Sequence, residues 1–143
     1  YRKCLLSNEI IKNKEKIISD LDVFYKSFPK NFFITITGTN ATATEIVDAS
    51  GLAGASTDPR LSIVSCTWSV SSTTEIEFHA TSNTTALTLN GNGNFNIGSQ
   101  QLPPITNNAG SGISGDIHME NDAACVGYVI MKLRKVSGYN NIT

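Results

Sequence analysis

Charge is scarce in this chain. Charged residues make up 16% of its 143 residues, against roughly 25% in ordinary soluble domains. Cysteine occurs three times, as Cys4, Cys66 and Cys125, and histidine twice. Three widely spaced cysteines form neither a disulfide framework nor a CxxC metal pair. Cys66 and Cys125 fall inside apolar, strand-like runs, where a thiol packs as a small hydrophobe. This usage fits maturation in a reducing cytoplasm and leaves one bridge between two of the three open. No apolar run approaches the roughly 18 residues of a transmembrane helix, so no membrane partner is expected. The chain has no Gly-x-Ser-x-Gly elbow, no HExxH and no P-loop. Ser114, in Gly112-Ile113-Ser114-Gly115, has the wrong spacing for the elbow. Catalysis is therefore not expected, and neither is a cofactor.

Hydroxyls and amides take the place of charge. The chain holds 15 Ser, 15 Thr and 14 Asn. Hydrophobic residues at 40% and a net charge of −1 are not the composition of a disordered chain. Ser, Thr and Asn favour strands, caps and turns over helix interiors, which excludes a mainly helical protein. The small net charge is a cancellation. Residues 1–30 carry +3, residues 31–131 carry −7 with Arg60 as their one basic residue, and residues 132–143 carry +3. Eleven basic residues without an Arg/aromatic repeat do not suggest nucleic-acid binding. Basic ends around an acidic middle suggest docking onto an acidic surface or between complementary subunits.

The periodicity predicts one helix over 7–28. Ile10, Ile17, Leu21, Phe24 and Phe28 form a single stripe, Ser7 can cap its start and Pro29 stops it. Lys12, Lys14 and Lys16 lie off that stripe. This gives an anchoring segment, 1–30, ahead of a β domain, 31–143. In the β domain, strands are expected at 32–37, near Ile46-Val47, at 61–70, 75–80 and 86–89, around Phe95-Ile97, at 113–119 and at 124–136. The apolar phase within 61–70 shifts from Leu61/Ile63 to Val64/Cys66/Trp68/Val70, which suggests a bulge or a strand buried on both faces. Asn90-Gly91-Asn92-Gly93 reads as a hairpin turn, and Pro103-Pro104 places 102–105 on an edge or in a loop. About eight strands separated by turn signals predict an all-β antiparallel fold of the β-sandwich or jelly-roll type.

One segment carries metal-ligand chemistry. Asp116, His118, Glu120 and Asp122 alternate and would share one strand face, and His with carboxylates can bind a divalent ion. The ordinary reading of that pattern is a solvated outer face with Ile117 and Met119 inward, so no metal is expected. A real site would add a ligand from Glu75, Glu77 or His79, which alternate on a face of their own. The Asn-x-Thr sequons at Asn40, Asn83 and Asn141 are unremarkable in a chain so rich in Asn and Thr.

The C-terminal half has a recognisable order of parts. It runs from the Gly91–Gly93 turn through Pro103-Pro104-Ile105 and Asn107-Asn108-Ala109-Gly110 to Gly115-Asp116-Ile117. It ends in the strand Tyr128-Val129-Ile130-Met131-Lys132-Leu133-Arg134-Lys135 with Gly138-Tyr139 after it. Over residues 60–139 this resembles small virion structural proteins of tailed bacteriophages, particularly those of marine bacteria. The resemblance implies a non-enzymatic β-sandwich assembled in the host cytoplasm into the virion, as a capsid decoration or cement protein. Its partners would be the major capsid protein or other virion subunits and further copies of itself. Ile10, Ile17, Leu21 and Phe24, with Lys12, Lys14, Lys16, Lys132 and Lys135, are the anchoring candidates. Two other readings compete. One is a carbohydrate-binding or adhesin-like module, expected to expose an aromatic near Trp68 or Tyr139. The other is a tail, neck or extracellular filament subunit.

Overall fold

The computed structural model describes residues 30–140, with the side chains of 30, 31 and 39–42 left aside. The expected N-terminal helix and its candidates Ile10, Lys12, Lys14, Lys16, Ile17, Leu21 and Phe24 lie outside the described residues. The described chain is all-β. Its strands are β1 (Lys30–Val47), β2 (Ala55–Phe78), β3 (Thr84–Phe95) and β4 (Ile117–Tyr139), with one turn of 3-10 helix at Ala49–Gly51. They form one antiparallel sheet in the order β1-β4-β2-β3.

Eight short expected strands thus become four long ones. The breaks read as turns are bends at which the ladder changes register and continues. β1 shifts between Gly38 and Thr44, β2 between Val70 and Glu75, and β4 between Glu120 and Cys125. The Asn90–Gly93 segment is not a hairpin turn but the middle of β3. Gly91 takes φ +53 there, which lets β3 follow the shift in β2. Gly93 leaves room for the Trp68 ring, which lies against it, and the indole N–H donates to the Asn90 carbonyl at 3.1 Å. The phase shift within 61–70 is a bulge at Val64, where Ile63 pairs with Leu133 and Ser65 with Lys132. Residues 113–116, after a turn at 111–112, are irregular rather than the start of a strand, and Ile105 makes an isolated bridge to Ile63.

The bends double the sheet over. Twenty-three residues separate Asp116, just before β4, from Tyr139 at its end, a span of about 75 Å if straight. Yet both hold the same residue. The Asp116 carboxylate accepts from the Ala49 N–H at 2.8 Å, and the Tyr139 hydroxyl donates to the Ala49 carbonyl at 2.9 Å. The topology depends on this closure. β1 and β2 both run antiparallel to β4, so they run in the same sense, and such a pair ordinarily needs a crossover of a dozen residues or more. Here seven residues, 48–54, suffice. They only have to pass from the start of β4, where β1 ends, to the end of β4, where β2 begins.

The doubled sheet encloses one apolar cluster that includes Ile36, Ile46, Ile63, Ile76, Phe78, Leu89, Ile117, Met119, Val129 and Met131. Cys66 and Cys125 are buried and not bridged to each other, and burial pushes the Cys66 thiol up to about 12. Side chains answer for the backbone groups that the bends release. Buried Asn121 donates to the carbonyls of Gly38 (2.9 Å) and Ala123 (2.8 Å), and Ser71 Oγ accepts from the Val126 N–H at 2.7 Å. The Ser/Thr/Asn richness of the sequence is thus in part structural, not only a surface.

Candidate functional site

Three donors converge where β2 ends and β4 begins. His79 follows the last residue of β2, Asp116 precedes the first residue of β4, and His118 is its second residue. One ligand atom from each lies within 4.8 Å of the other two, and all three residues are half-buried. The backbone sets this meeting. The His79 N–H donates to the Asp116 carbonyl at 3.0 Å, and the Ser114 N–H donates to the His79 carbonyl at 3.3 Å. Side chains then fix the donors. Ser114 Oγ sits 2.8 Å from His79 Nδ1 and accepts from the Asp116 N–H at 3.1 Å. Asp116 is held from its other side by the Ala49 N–H.

The two imidazoles stack face to face, with ring centroids 4.3 Å apart and planes 12° from parallel. Burial is the main cause holding the His118 pKa below its ordinary value, and His79 adds to it. Asp116 and Glu77 pull the other way. His118 Nδ1 is buried and has no hydrogen-bond partner.

Of the residues singled out in the sequence, Asp116 and His118 join this cluster and His79 is the added ligand. Glu120 does not join it. It stands opposite Glu75 across the β2–β4 ladder, and Glu77 and Glu45 stand opposite His118. Glu120 is raised above the ordinary carboxylate range, by burial first and then by Glu77, Asp122 and Glu75. A carboxylate held up in this way costs stability while it is ionised and nothing once it is protonated in both folded and unfolded chains. Glu120→Gln is therefore expected to melt slightly higher than the parent at pH 7. Thermal melts across pH should show that gain vanish as pH falls below the ordinary carboxylate range. Nothing in the sequence marks Ser114 and Ala49 as holding the cluster.

A second surface lies on the outward side of β4. Inward residues Cys125, Val129, Met131, Leu133 and Lys135 are buried, and the alternate set Val126, Tyr128, Ile130, Lys132, Arg134 and Val136 faces out. Val126, Tyr128 and Val136 are exposed, at 47%, 38% and 47%. Tyr128 stacks on Phe33 of β1 at 5.9 Å. The neighbouring outward positions on β2 are Thr67 and Ser69, so the apolar character belongs to β4 and β1. Lys132 is half-exposed and Arg134 exposed. Lys135 turns inward instead. Its ammonium donates to the Ala53 carbonyl at 2.6 Å and lies 4.8 Å from the Tyr139 ring centre, and burial lowers its pKa to about 8. Its charge is spent inside the protein, so of the two C-terminal lysines only Lys132 presents a cation outward.

No helix among the described residues is long and apolar enough to cross a membrane. Comparison with family models, with curated proteins and with solved structures finds no match.

Proposed function

We propose that the chain is a non-enzymatic structural protein of a phage virion, a capsid decoration or cement protein. It works by packing against the shell and against neighbouring copies. The observation that carries this reading is the outward face of β4. An outer sheet face is ordinarily polar, as it is on β2 at Thr67 and Ser69. On β4 it offers Val126, Tyr128 and Ile130 beside Lys132 and Arg134. Exposed aromatic and aliphatic side chains next to arginine have the make-up of an interface centre. The two cations suit an acidic shell, and the basic stretch 1–30 would add to them. A carbohydrate-binding reading would rest on the exposed Tyr128–Phe33 stack, since Tyr139 is 8% exposed and Trp68 is half-buried against Gly93.

The test is binding to shells purified from phage lysates, read as copies bound per shell by sedimentation. The full chain should bind at a fixed, saturable copy number. Tyr128→Lys should weaken that binding by at least ~30-fold, the loss of one central aromatic, while its melting temperature stays within about 5 °C of the parent. Equal binding by the parent and Tyr128→Lys would remove β4 from the interface. No binding by the parent to shells or to itself would overturn the reading.

A further inference from the structure

We propose that His79, Asp116 and His118 form a binding site for one divalent transition-metal ion of the zinc type, with water completing its coordination. The site does not depend on the virion reading. Two imidazoles and one carboxylate are the nitrogen and oxygen donor set that zinc and its neighbours prefer over magnesium or calcium. Three protein ligands leave a position for solvent.

Three features set this cluster apart from a chance meeting of polar side chains. His79 is 37 residues from Asp116 and 39 from His118 in sequence, yet the ligand atoms of all three lie within 4.8 Å of one another. Two of the three are oriented by groups that are not themselves ligands. Ser114 Oγ engages His79 Nδ1, which leaves Nε2 for a metal, and the Ala49 N–H engages one oxygen of Asp116 and leaves the other. Such outer partners fix ring orientation and tautomer at real metal sites. His118 Nδ1 is the third feature. It is a buried nitrogen without a hydrogen-bond partner, a cost that native proteins seldom leave unanswered. Because parallel rings cannot both aim their in-plane lone pairs at one ion, binding turns the His118 ring out of its stack on His79.

A bound ion would join the end of β2 to the start of β4. It would add to the end of the β2–β4 ladder, the backbone hydrogen bonds that link His79 and Thr81 to residues 111–116, and the Ser114 hydroxyl. Zinc should therefore stabilise the fold, and increasingly so as its free concentration rises above the dissociation constant.

The experiment uses the full-length chain stripped of metal and titrated with Co²⁺, then Zn²⁺. One equivalent of Co²⁺ should give visible ligand-field bands that one equivalent of Zn²⁺ abolishes. Saturating Zn²⁺ should raise the melting temperature by about 5 °C or more. His118→Ala and His79→Ala should lose the bands and the shift, and Glu120→Gln should keep both. Should an alanine variant fail to fold, Asp116→Asn serves, since its amide oxygen can still accept from Ala49. It should weaken zinc binding at least tenfold. A folded parent without bands, or bands accompanied by a thiolate charge-transfer absorption, would overturn the assignment, the latter by placing the metal on a cysteine.

Discussion

Gly115→Ala should be the most damaging single-methyl change in the described chain. Gly115 takes φ +90, and a Cβ added there would overlap the Pro59 carbonyl oxygen and meet the Ala49 Cβ at 3.3 Å. Two costs combine. A side chain at that φ costs about 1–3 kcal/mol, and overpacking against backbone costs about 1–3 kcal/mol more. The neighbours cannot give way easily. Pro59 is also pressed from beyond by Gly138, where a Cβ would meet the Asp58 carbonyl oxygen and Pro59 Cα at 2.5 Å. The expected loss is about 3–5 kcal/mol, a large part of a typical domain's stability. In a thermal melt it should appear as a fall of about 10–20 °C. A melting temperature within a few degrees of the parent would mean that the two ends of β4 are not held together as described.

Phe78→Ala should come next. Phe78 is the last residue of β2, fully buried, and pairs with Ile117 at the start of β4. It belongs to the cluster that the doubled sheet encloses. Removing so large a buried ring costs about 3–5 kcal/mol through lost transfer energy and the cavity left behind. Chemical denaturation should show the midpoint fall with little change in slope. Phe78→Leu, which keeps most of the volume, should recover more than half of that loss. The pair of variants separates a packing role from a backbone one. If both lose equally, Phe78 is not packed as described.

Both residues bear on how far the sequence could be read. The alternation Ile76/Phe78 and Ile117/Met119 made the inward faces legible, and those residues are buried. The phase shift around Val64 was legible too, as a bulge or a strand buried on both faces, and the pairing of Ile63 and Ser65 decides for the bulge. The bends were not. Gly38, Ser71-Ser72, Asn90-Gly91 and Asn121-Asp122 carry the residue types of turns, and a turn and a continuing bent strand draw on the same types. Only pairing to a neighbour tells the two apart, and pairing is not local. The closure of β4 on Ala49 depends on Asp116 and Tyr139 meeting, which no periodicity encodes.

The candidate metal cluster divides in the same way. Alternation put Asp116 and His118 on one face, and the need for another ligand pointed to His79 among others. Glu120 alternates as well, yet it lies opposite Glu75 and away from His79, because the ladder register sets its neighbours. The inward turn of Lys135 was legible in principle from its place in the phase of Met131 and Leu133. Its charge made it look like a surface residue, and the Ala53 carbonyl is what makes its burial tolerable.

The proposed role has this β fold pack against other copies or other virion subunits through the outward face of β4. The most direct measurement is the mass of the full chain under native conditions, alone and with purified shells, by sedimentation. The expected result is a defined assembly, either a discrete oligomer or a fixed number of copies per shell, that Tyr128→Lys disperses to monomer. A parent chain that sediments as a monomer at every concentration and leaves shells unchanged would contradict it.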